Sequence, residues 1–161
     1  MALRSKKEVV VILPYSKGKV LMQLRDARRD IPGAGRWGFF GGAVEQDDTP
    51  EDAVWREVFE ELGYQPPMIH PLWVGRLFYL GNLLCYAYYC HITVPVERLR
   101  LMEGMDIGLF SHAEILSKKL YSVRLKKTFP IANITIVETV EKLFHRLGGF
   151  RSMTKRVDGA S

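Results

Sequence analysis

Short apolar segments rich in β-branched and aromatic residues recur along the chain between polar turns, a pattern typical of strands. Five segments fit this description: residues 9–13, 20–25, 73–80, 83–93 and the short 109–110. The polar residues 15–18 separate the first two segments, and Gly81-Asn82 separates the third from the fourth. We therefore expect two hairpins, one near each end of the first half of the chain.

Two other segments carry apolar residues every three or four positions, as an amphipathic helix does. The first helix is expected to begin at Thr49, whose hydroxyl can cap it, and to end at Gly63. Proline and two acids follow Thr49, which suits a first helical turn. The second helix is expected over residues 130–147, where Gly148-Gly149 stops the pattern.

A helix with strands before and after it indicates an α/β or α+β class. The chain has 161 residues and 47% apolar content, enough for one domain with its own core and too little for two. We expect a single domain over residues 1–147. Residues 148–161 continue no core pattern, so we expect them to form a mobile tail.

Charge and cysteine content limit the possible binding partners and the cellular compartment of the protein. The net charge of +5 and a pI near 9.3 suit a polyanionic ligand, and equally a generic solvated basic surface. Cys85 and Cys90 lie five residues apart in an expected strand, so their side chains point to opposite faces and cannot pair. The apolar run at 9–13 is too short for a signal peptide or a membrane span. We expect a cytoplasmic protein with reduced thiols and no membrane partner.

The first helix carries three glutamates on one strip, Glu57, Glu60 and Glu61, with no lysine among them. Like charges at the four-residue spacing repel, and only Arg56 offers relief. An ordinary acidic surface is one interpretation, and on the helix alone it is the commoner one. The other is a site for a hard divalent cation, since Mg²⁺ prefers carboxylate oxygens and bridges to phosphates.

The residues upstream of this strip favour the cation site. From Gly42 to Tyr64 the chain reads GAVEQDDTPEDAVWREVFEELGY, with acids, arginine and glycine at fixed distances. This segment resembles the Nudix box, the signature of hydrolases that act on a nucleoside diphosphate linked to another moiety. Two positions differ from the usual pattern: Asp48 stands for glutamate, and Tyr64 for an aliphatic residue. The shorter Asp48 has less reach towards the helix, whereas Tyr64 only needs to pack.

The resemblance implies a fold and a metal site. The fold is an α/β/α sandwich with a curved mixed sheet, in which the box forms a loop, a helix and a second loop. The cation would be Mg²⁺, with Mn²⁺ as an alternative. Its implied ligands are the carboxylates of Glu57, Glu60 and Glu61 and a backbone carbonyl at Gly41 or Gly42. Arg56 would orient one of the glutamates through an ion pair.

The resemblance also implies the chemistry, which is water attack on a phosphorus of the diphosphate. A general base is needed, and family members take it from the box, here Glu57 or Glu60, or from an outside loop. Glu103 lies before a short expected strand, as does the base in the branch that removes damaged nucleotides. It would then also be a metal ligand. A solvated loop glutamate is an equal alternative.

Four residues are candidates for substrate binding. Asn133 in FPIAN resembles an asparagine that hydrolases of oxidised guanine triphosphates place against the purine, and an amide can both donate and accept. Arg25 resembles a nucleotide contact in that branch, and Trp37 and Phe39 offer rings for stacking. The alternatives are that Asn133 caps a helix, that Arg25 is a surface charge and that both aromatic residues belong to the core.

These features together predict a Mg²⁺-dependent pyrophosphohydrolase acting on a nucleoside triphosphate or related nucleoside diphosphate derivative. A nucleotide-sugar or dinucleoside polyphosphate hydrolase is the alternative enzyme. A catalytically silent domain that binds nucleotide or RNA is the alternative of another class, and Asp48 keeps it open. The expected partner is a nucleotide or a nucleoside diphosphate-linked small molecule, with an RNA end less favoured. We expect a monomer or a homodimer.

Overall fold

The computed structural model describes residues 7–31, 33–77 and 82–148. The expected turn at Gly81 and almost all of the expected tail lie outside these residues. Nine strands and three α-helices follow in this order: β1 Glu8–Ser16, β2 Lys19–Leu24, β3 Trp37–Gly38, β4 Phe40–Ala43, α1 Pro50–Leu62, β5 His70–Leu77, β6 Leu83–His91, β7 Asp106–Ser111, α2 His112–Leu116, β8 Lys119–Ser122, β9 Lys127–Pro130 and α3 Ile134–Arg146.

Strand β1 is the centre of a seven-stranded mixed sheet. One edge of β1 pairs in parallel with β6, from Glu8 opposite Leu84 to Tyr15 opposite His91. The other edge pairs with β4 along its first half and with β2 at its end. Strand β2 also pairs with β3 and β7, and β5 pairs with β6. The segment from β3 to β4 therefore crosses from β2 to β1, where it lies beside α1.

Two apolar cores lie on opposite faces of this sheet. Alternate residues of β1 and β2 enter different cores: Val10 and Ile12 pack with α1, whereas Leu13 and Val20 pack with α3. Helix α2 also belongs to the core of α3 through Ile115. The expected α/β/α sandwich is confirmed. Within the described ranges, no helix combines the length and apolar character that a membrane crossing requires.

The first hairpin is tighter than its sequence suggested. Strand β1 continues to Ser16 and β2 begins at Lys19, so the turn consists of Lys17 and Gly18 with φ of 49° and 76°. Two successive positive φ values define the two-residue turn that matches strand twist. Tyr15, predicted to lie in the turn, instead pairs with Val20 because this shorter turn brings their backbones together.

The last helix begins four residues later than expected. Its described range is Ile134–Arg146, with Asn133 as its N-cap. Phe129 and Pro130 belong to β9, and Ile131 forms an isolated parallel bridge with Trp37. The apolar spacing over residues 130–133 therefore reflects pairing with other strands and not a helical turn. Helix α2 and the β8–β9 hairpin were not predicted.

Candidate functional site

Helix α1 begins and ends where the sequence predicted. Thr49 caps it in a capping box with Asp52: the Asp52 N–H donates to Thr49 Oγ1 at 3.1 Å, and the Thr49 N–H donates to Asp52 Oδ2 at 3.2 Å. Gly63 ends it in the left-handed conformation with φ of 58°. Tyr64 then packs near the α1 core, and its hydroxyl accepts the Thr93 N–H at 3.0 Å. These caps fix the helix that carries the three glutamates.

Two glycines allow strand β4 to approach the glutamates closely. The Gly41 N–H donates to Glu61 Oε2 at 2.9 Å. Gly41 has φ of 148°, and a Cβ there would overlap the Val10 carbonyl oxygen. A Cβ on Gly42 would overlap the carboxylate of Glu57. The structure thus brings the predicted residues Gly41, Gly42, Glu57 and Glu61 into direct contact.

Arg56 joins the loop before α1 to the helix. Its Nη2 lies 2.8 Å from Asp48 Oδ2, an ion pair outside hydrogen-bonding geometry, and 3.3 Å from the Ala43 carbonyl. Its Nη1 contacts Glu45 at 3.2 Å and Glu57 at 3.6 Å. The shorter Asp48 therefore still reaches Arg56. Glu45 was not predicted, although it too lies between the glycines and the helix cap.

The loop that carries Glu103 is fastened to the end of α1 and to β2. The Met102 N–H donates to the Glu61 carbonyl at 3.2 Å, and Gln23 Nε2 donates to the Glu103 carbonyl at 2.8 Å. Gly104, with φ of 88°, lies where a Cβ would be 2.7 Å from the Leu24 carbonyl oxygen. Glu103, itself exposed, is thereby held near the glutamates of α1.

Burial and neighbouring carboxylates raise the pKa of Glu61 and of Glu57. Burial is the largest cause of the shift that raises the pKa of Glu61 to about 8; the Gly41 N–H opposes it, and Glu57 and Glu103 add to it. Burial also raises the pKa of Glu57, against the effect of Arg56 and with that of Glu60 and Glu103. These couplings place all four carboxyl groups in one electrostatic cluster. A cation bound among them would favour their ionised forms.

The donor set of this cluster fits a hard divalent cation. Carboxylate and carbonyl oxygens are the ligands that Mg²⁺ prefers, and Mn²⁺ accepts the same donors. In the part of the chain that the structure describes, no three acidic, histidine or cysteine side chains converge to hold a metal ion by themselves. Mg²⁺ commonly takes only one or two protein carboxylates and completes its shell with water and substrate phosphates. The ligand roles of Glu57, Glu60, Glu61 and Glu103 stay predictions.

A cavity of about 410 Å³ adjoins the two glycines, and three of the four predicted substrate-binding residues line it: Arg25, Phe39 and Asn133. Asn133 forms no side-chain cap on α3, and its Oδ1 is buried without a hydrogen-bond partner. The side chain of Arg25 passes close to Gly33 and Gly38, and its Nε is likewise buried and unpaired. Such polar atoms normally have partners, so two residues that line this cavity each carry an unmet hydrogen bond.

Trp37 is a correction to the predicted site. Its side chain is fully buried in the α3 core, where its ring meets Phe110 edge-on at 4.8 Å between centroids. Its Nε1 donates to the Leu120 carbonyl at 3.0 Å. Because both ring faces and the N–H are taken up by the protein, stacking of Trp37 on a base is not supported.

Trp73 lines the cavity instead, and sequence reasoning missed it. Its Nε1 donates to Oγ1 of the buried Thr139 on α3 at 3.2 Å. Its ring lies over Gly75, where a Cβ would be 2.6 Å from the ring. Residues two apart on a strand share a face, so tryptophan followed by glycine at that spacing was the available signal. The ring of Trp73, which forms part of the cavity wall, is therefore held by contacts with Thr139 and Gly75.

The amino-acid sequence of the chain is similar to that of several known proteins. A family model described as "NUDIX domain" matches residues 5–121. The chain is 43% identical over 58 residues to the CTP pyrophosphohydrolase of Escherichia coli (strain K12), which covers 36% of this chain and 42% of that protein. It is 32% identical over 76 residues to the oxidized purine nucleoside triphosphate hydrolase of Danio rerio, 47% of each chain. The chain thus spans less than half the length of these two relatives.

A solved structure extends the likeness of fold over more of the chain. The MutT NUDIX hydrolase of Burkholderia pseudomallei superposes with a TM-score of 0.65 at 22% identity, covering 85% of this chain and 97% of that one. At this identity the likeness concerns the fold alone. It agrees with the sandwich described above.

Proposed function

The chain belongs to the Nudix family, and from this membership we propose that it is a pyrophosphohydrolase acting on a nucleotide. The observation that carries the proposal is the contact of Glu61 and Glu57 with the backbone of Gly41 and Gly42, directly beside the cavity. Carboxylates would otherwise avoid such a crowded, partly buried arrangement. A cation-binding role explains why Glu57 and Glu61 lie against this backbone, with Glu60 and Glu103 near enough to raise the pKa of Glu57.

The proposed cofactor is Mg²⁺, with Mn²⁺ as the alternative, held by Glu57, Glu60, Glu61, Glu103 and a backbone carbonyl of the glycine pair. A bound divalent cation neutralises phosphate charge and lowers the pKa of water. Arg56 acts on the site only indirectly, since its ion pairs with Asp48 and Glu57 fix a ligand's position.

The proposed reaction is attack of water on a phosphorus of the diphosphate, with Glu103 or a box glutamate accepting the proton. A nucleoside triphosphate would yield the monophosphate and pyrophosphate. Glu103 suits the base role because its loop is fastened near the cluster while its side chain stays exposed to solvent. The choice between Glu103 and the box remains a prediction.

We further propose a nucleoside triphosphate as substrate, with its base in the cavity. The unpaired Oδ1 of Asn133 and Nε of Arg25 support this assignment, as does the ring of Phe39 in the wall. Two similar proteins are named for triphosphates, one of cytidine and one of oxidised purines. A cytoplasmic location and a monomeric or homodimeric state are retained as predictions.

A product analysis tests the proposal. The purified protein is incubated with Mg²⁺ and nucleoside triphosphates, including an oxidised guanine one, beside nucleotide sugars and dinucleoside polyphosphates. We expect monophosphate and pyrophosphate from at least one triphosphate. Glu60→Gln should lower kcat about 10²-fold or more, since a lost metal ligand removes roughly 3 kcal/mol of transition-state stabilisation. Glu138→Gln, an exposed acid of α3, is the matched control and should keep the wild-type rate.

Other products would point elsewhere. Release of a sugar phosphate would replace the triphosphate assignment with nucleotide-sugar hydrolysis. Nucleotide binding without cleavage of any compound would indicate a silent binding domain. A Glu60→Gln variant with a normal rate would remove the metal-site assignment.

A further inference from the structure

The hairpin of β8 and β9 stands apart from the main sheet but is firmly attached to it. Ser122 is fully buried, and its Oγ donates to Asp106 Oδ2 at 2.6 Å and accepts the Leu125 N–H at 3.1 Å. The Leu120 carbonyl accepts the Trp37 indole N–H. Leu120 and Ser122 point inwards, so the alternate residues of β8 form an outer face. These contacts anchor the hairpin to the rest of the fold.

The outer side of this hairpin is strongly basic. Between Glu114 and Glu138 the sequence contains no acid. Five exposed cations lie in this interval, which we call the basic hairpin: Lys118, Lys119, Arg124, Lys126 and Lys127. None of them forms an ion pair with another described residue. Uncompensated like charges on a small element favour a polyanionic partner, because its phosphates would relieve the repulsion.

The basic hairpin also presents an aromatic ring. The Tyr121 side chain is 51% exposed on the outer face of β8, between cations that precede and follow it in sequence. On the neighbouring strand, Lys127 and Phe129 pair with Ser122 and Leu120 and so lie on the opposite face, where the Lys127 ammonium is 5.4 Å from the centroid of the Phe129 ring. An exposed ring beside cations is a combination that binds single strands, since a base stacks on the ring while the cations contact the phosphates.

Backbone contacts connect the basic hairpin to the mouth of the cavity. The Ile131 N–H donates to the Lys118 carbonyl at 3.0 Å, and Arg36 Nη1 donates to the Ile131 carbonyl at 3.4 Å. The next two residues, Ala132 and Asn133, line the cavity. The basic hairpin is therefore joined through Ile131 to the segment that lines the cavity.

We propose that the outer face of the basic hairpin binds a single-stranded nucleic acid, with a base stacked on Tyr121 and phosphates contacted by Lys119, which shares the face of Tyr121, and by Arg124 and Lys126 of the turn. This inference goes beyond nucleotide hydrolysis and does not require it. A duplex would keep its bases stacked away from Tyr121, so single strands are the better fit. An anionic membrane is the competing partner, since Val123 is 79% exposed.

The test uses the full chain and a fluorescent RNA of ~12 nucleotides with a 5′-hydroxyl end, a length within the usual range for single-strand sites. Binding is followed by anisotropy at several salt concentrations. Replacing Lys119, Arg124 and Lys126 with glutamate should weaken binding at least about tenfold and reduce the salt slope by about 2. The matched control carries Arg76→Glu, Arg98→Glu and Lys142→Glu, the same charge change elsewhere on the surface, and should bind nearly as the wild type does.

A second pair of variants separates stacking from charge and from folding. Tyr121→Ala should weaken binding about fivefold or more, and Tyr121→Phe should restore it because the ring remains. The proposal is overturned if the wild type does not bind the RNA, if the control triple variant loses as much affinity, or if a duplex binds equally well. Binding to anionic lipid vesicles in place of RNA would also overturn it. Because the RNA has no triphosphate, failure of hydrolysis leaves this result intact, and the reverse holds too.

Discussion

Glu61 is almost fully buried at 5% exposure, although it is a carboxylate of an amphipathic helix. Among the described residues its only hydrogen-bond donor is the Gly41 N–H, which offsets part of the cost of burial. The remaining cost is visible in its pKa, raised to about 8 chiefly by burial. Burying a carboxyl group does not by itself stabilise a fold. The burial of Glu61 therefore indicates that this residue belongs to a functional site.

The raised pKa predicts how stability changes with pH. The folded protein binds the Glu61 proton more tightly than the unfolded chain, whose carboxyl titrates near 4.5. The stabilising effect of this proton is therefore complete below about pH 4.5 and is lost as pH rises through about 8. With a chelator present to remove divalent cations, the Tm measured by calorimetry should fall by at least a few degrees across this pH window. For a protein of this size, a change of about 1 kcal/mol in the free energy of unfolding moves Tm by about 2–4 °C.

Glu61→Gln is the matching variant, because glutamine keeps the shape but not the titration. Its Tm should vary much less over the same pH window, with a small slope left by Glu57, whose pKa is also raised. An identical pH dependence in both proteins would show that Glu61 titrates normally. Added Mg²⁺ should stabilise the wild type more at pH 8 than at pH 5, since a cation favours the ionised carboxyl.

We expect the side chain of Trp73 to influence which nucleotide base the cavity prefers. Thr139→Val removes the acceptor of the indole N–H while keeping the side-chain shape, so the ring should reorient in the cavity. We expect the ratio of kcat/KM for purine over pyrimidine triphosphates to change about threefold to tenfold. Thr128→Val, at an exposed position of β9, is the control. Equal changes for all bases would mean that Trp73 supports the fold but not selectivity.

At the scale of elements, what the sequence predicted were the features specified locally. The ends of α1 follow from Thr49 and Gly63, whose capping needs no distant partner. The start of α3 was misjudged because Ile131 pairs with Trp37, 94 positions away in the chain, and no local pattern signals such a bridge. The β8–β9 hairpin is polar on its exposed side and short, so its strands carried little apolar signal.

In the candidate site, too, the locally specified features were predicted and those that depend on distant contacts were not. The glutamates and glycines of the box have fixed spacing within one loop and helix, so their grouping was readable in sequence. Trp37 and Trp73 were not distinguishable, because which tryptophan faces a cavity depends on packing between strands and α3. Glu103 was readable only through family resemblance, since its nearness to α1 rests on contacts such as Met102 with Glu61.

In the loop before α1, Asp48 stands where the family usually has glutamate, and the effect of this difference can be tested. Asp48→Ala removes one anchor of Arg56, and with both side chains about one quarter exposed we expect a loss of about 0.5–1 kcal/mol. Because Arg56 also contacts Glu57, kcat should fall about tenfold while KM changes little. Urea unfolding and steady-state kinetics measure the two effects.

Glu45→Ala is the control for this loop, since its ion pair with Arg56 involves a side chain 70% exposed and should contribute little. Asp48→Glu should retain both stability and rate, because the charge remains and the reach increases. If Asp48→Ala behaves like Glu45→Ala, the Asp48 contact has no part in positioning the helix.

At the scale of the whole molecule, one strand connects the two halves of the sandwich. Strand β6 carries Cys85 on the side of the cavity and Cys90 in the α1 core. Both thiols are free, as the sequence predicted. Both are also buried, and burial raises the pKa of each to about 12. Thiolate is the reactive form, so both should be inert in the folded protein near neutral pH.

This placement turns the cysteines into separate reporters for the two cores. If both cores unfold as one domain, Cys85 and Cys90 should become reactive towards a thiol reagent along the same urea curve, which also matches loss of circular dichroism. The single variants Cys85→Ala and Cys90→Ala isolate each thiol and are measured against each other. Labelling of Cys85 at clearly lower urea would show that the α3 side opens first, exposing the cavity while the glutamate-bearing helix stays folded. Because the proposed site takes its base-binding wall from one core and its cation ligands from the other, such an opening would release nucleotide without loss of the cation.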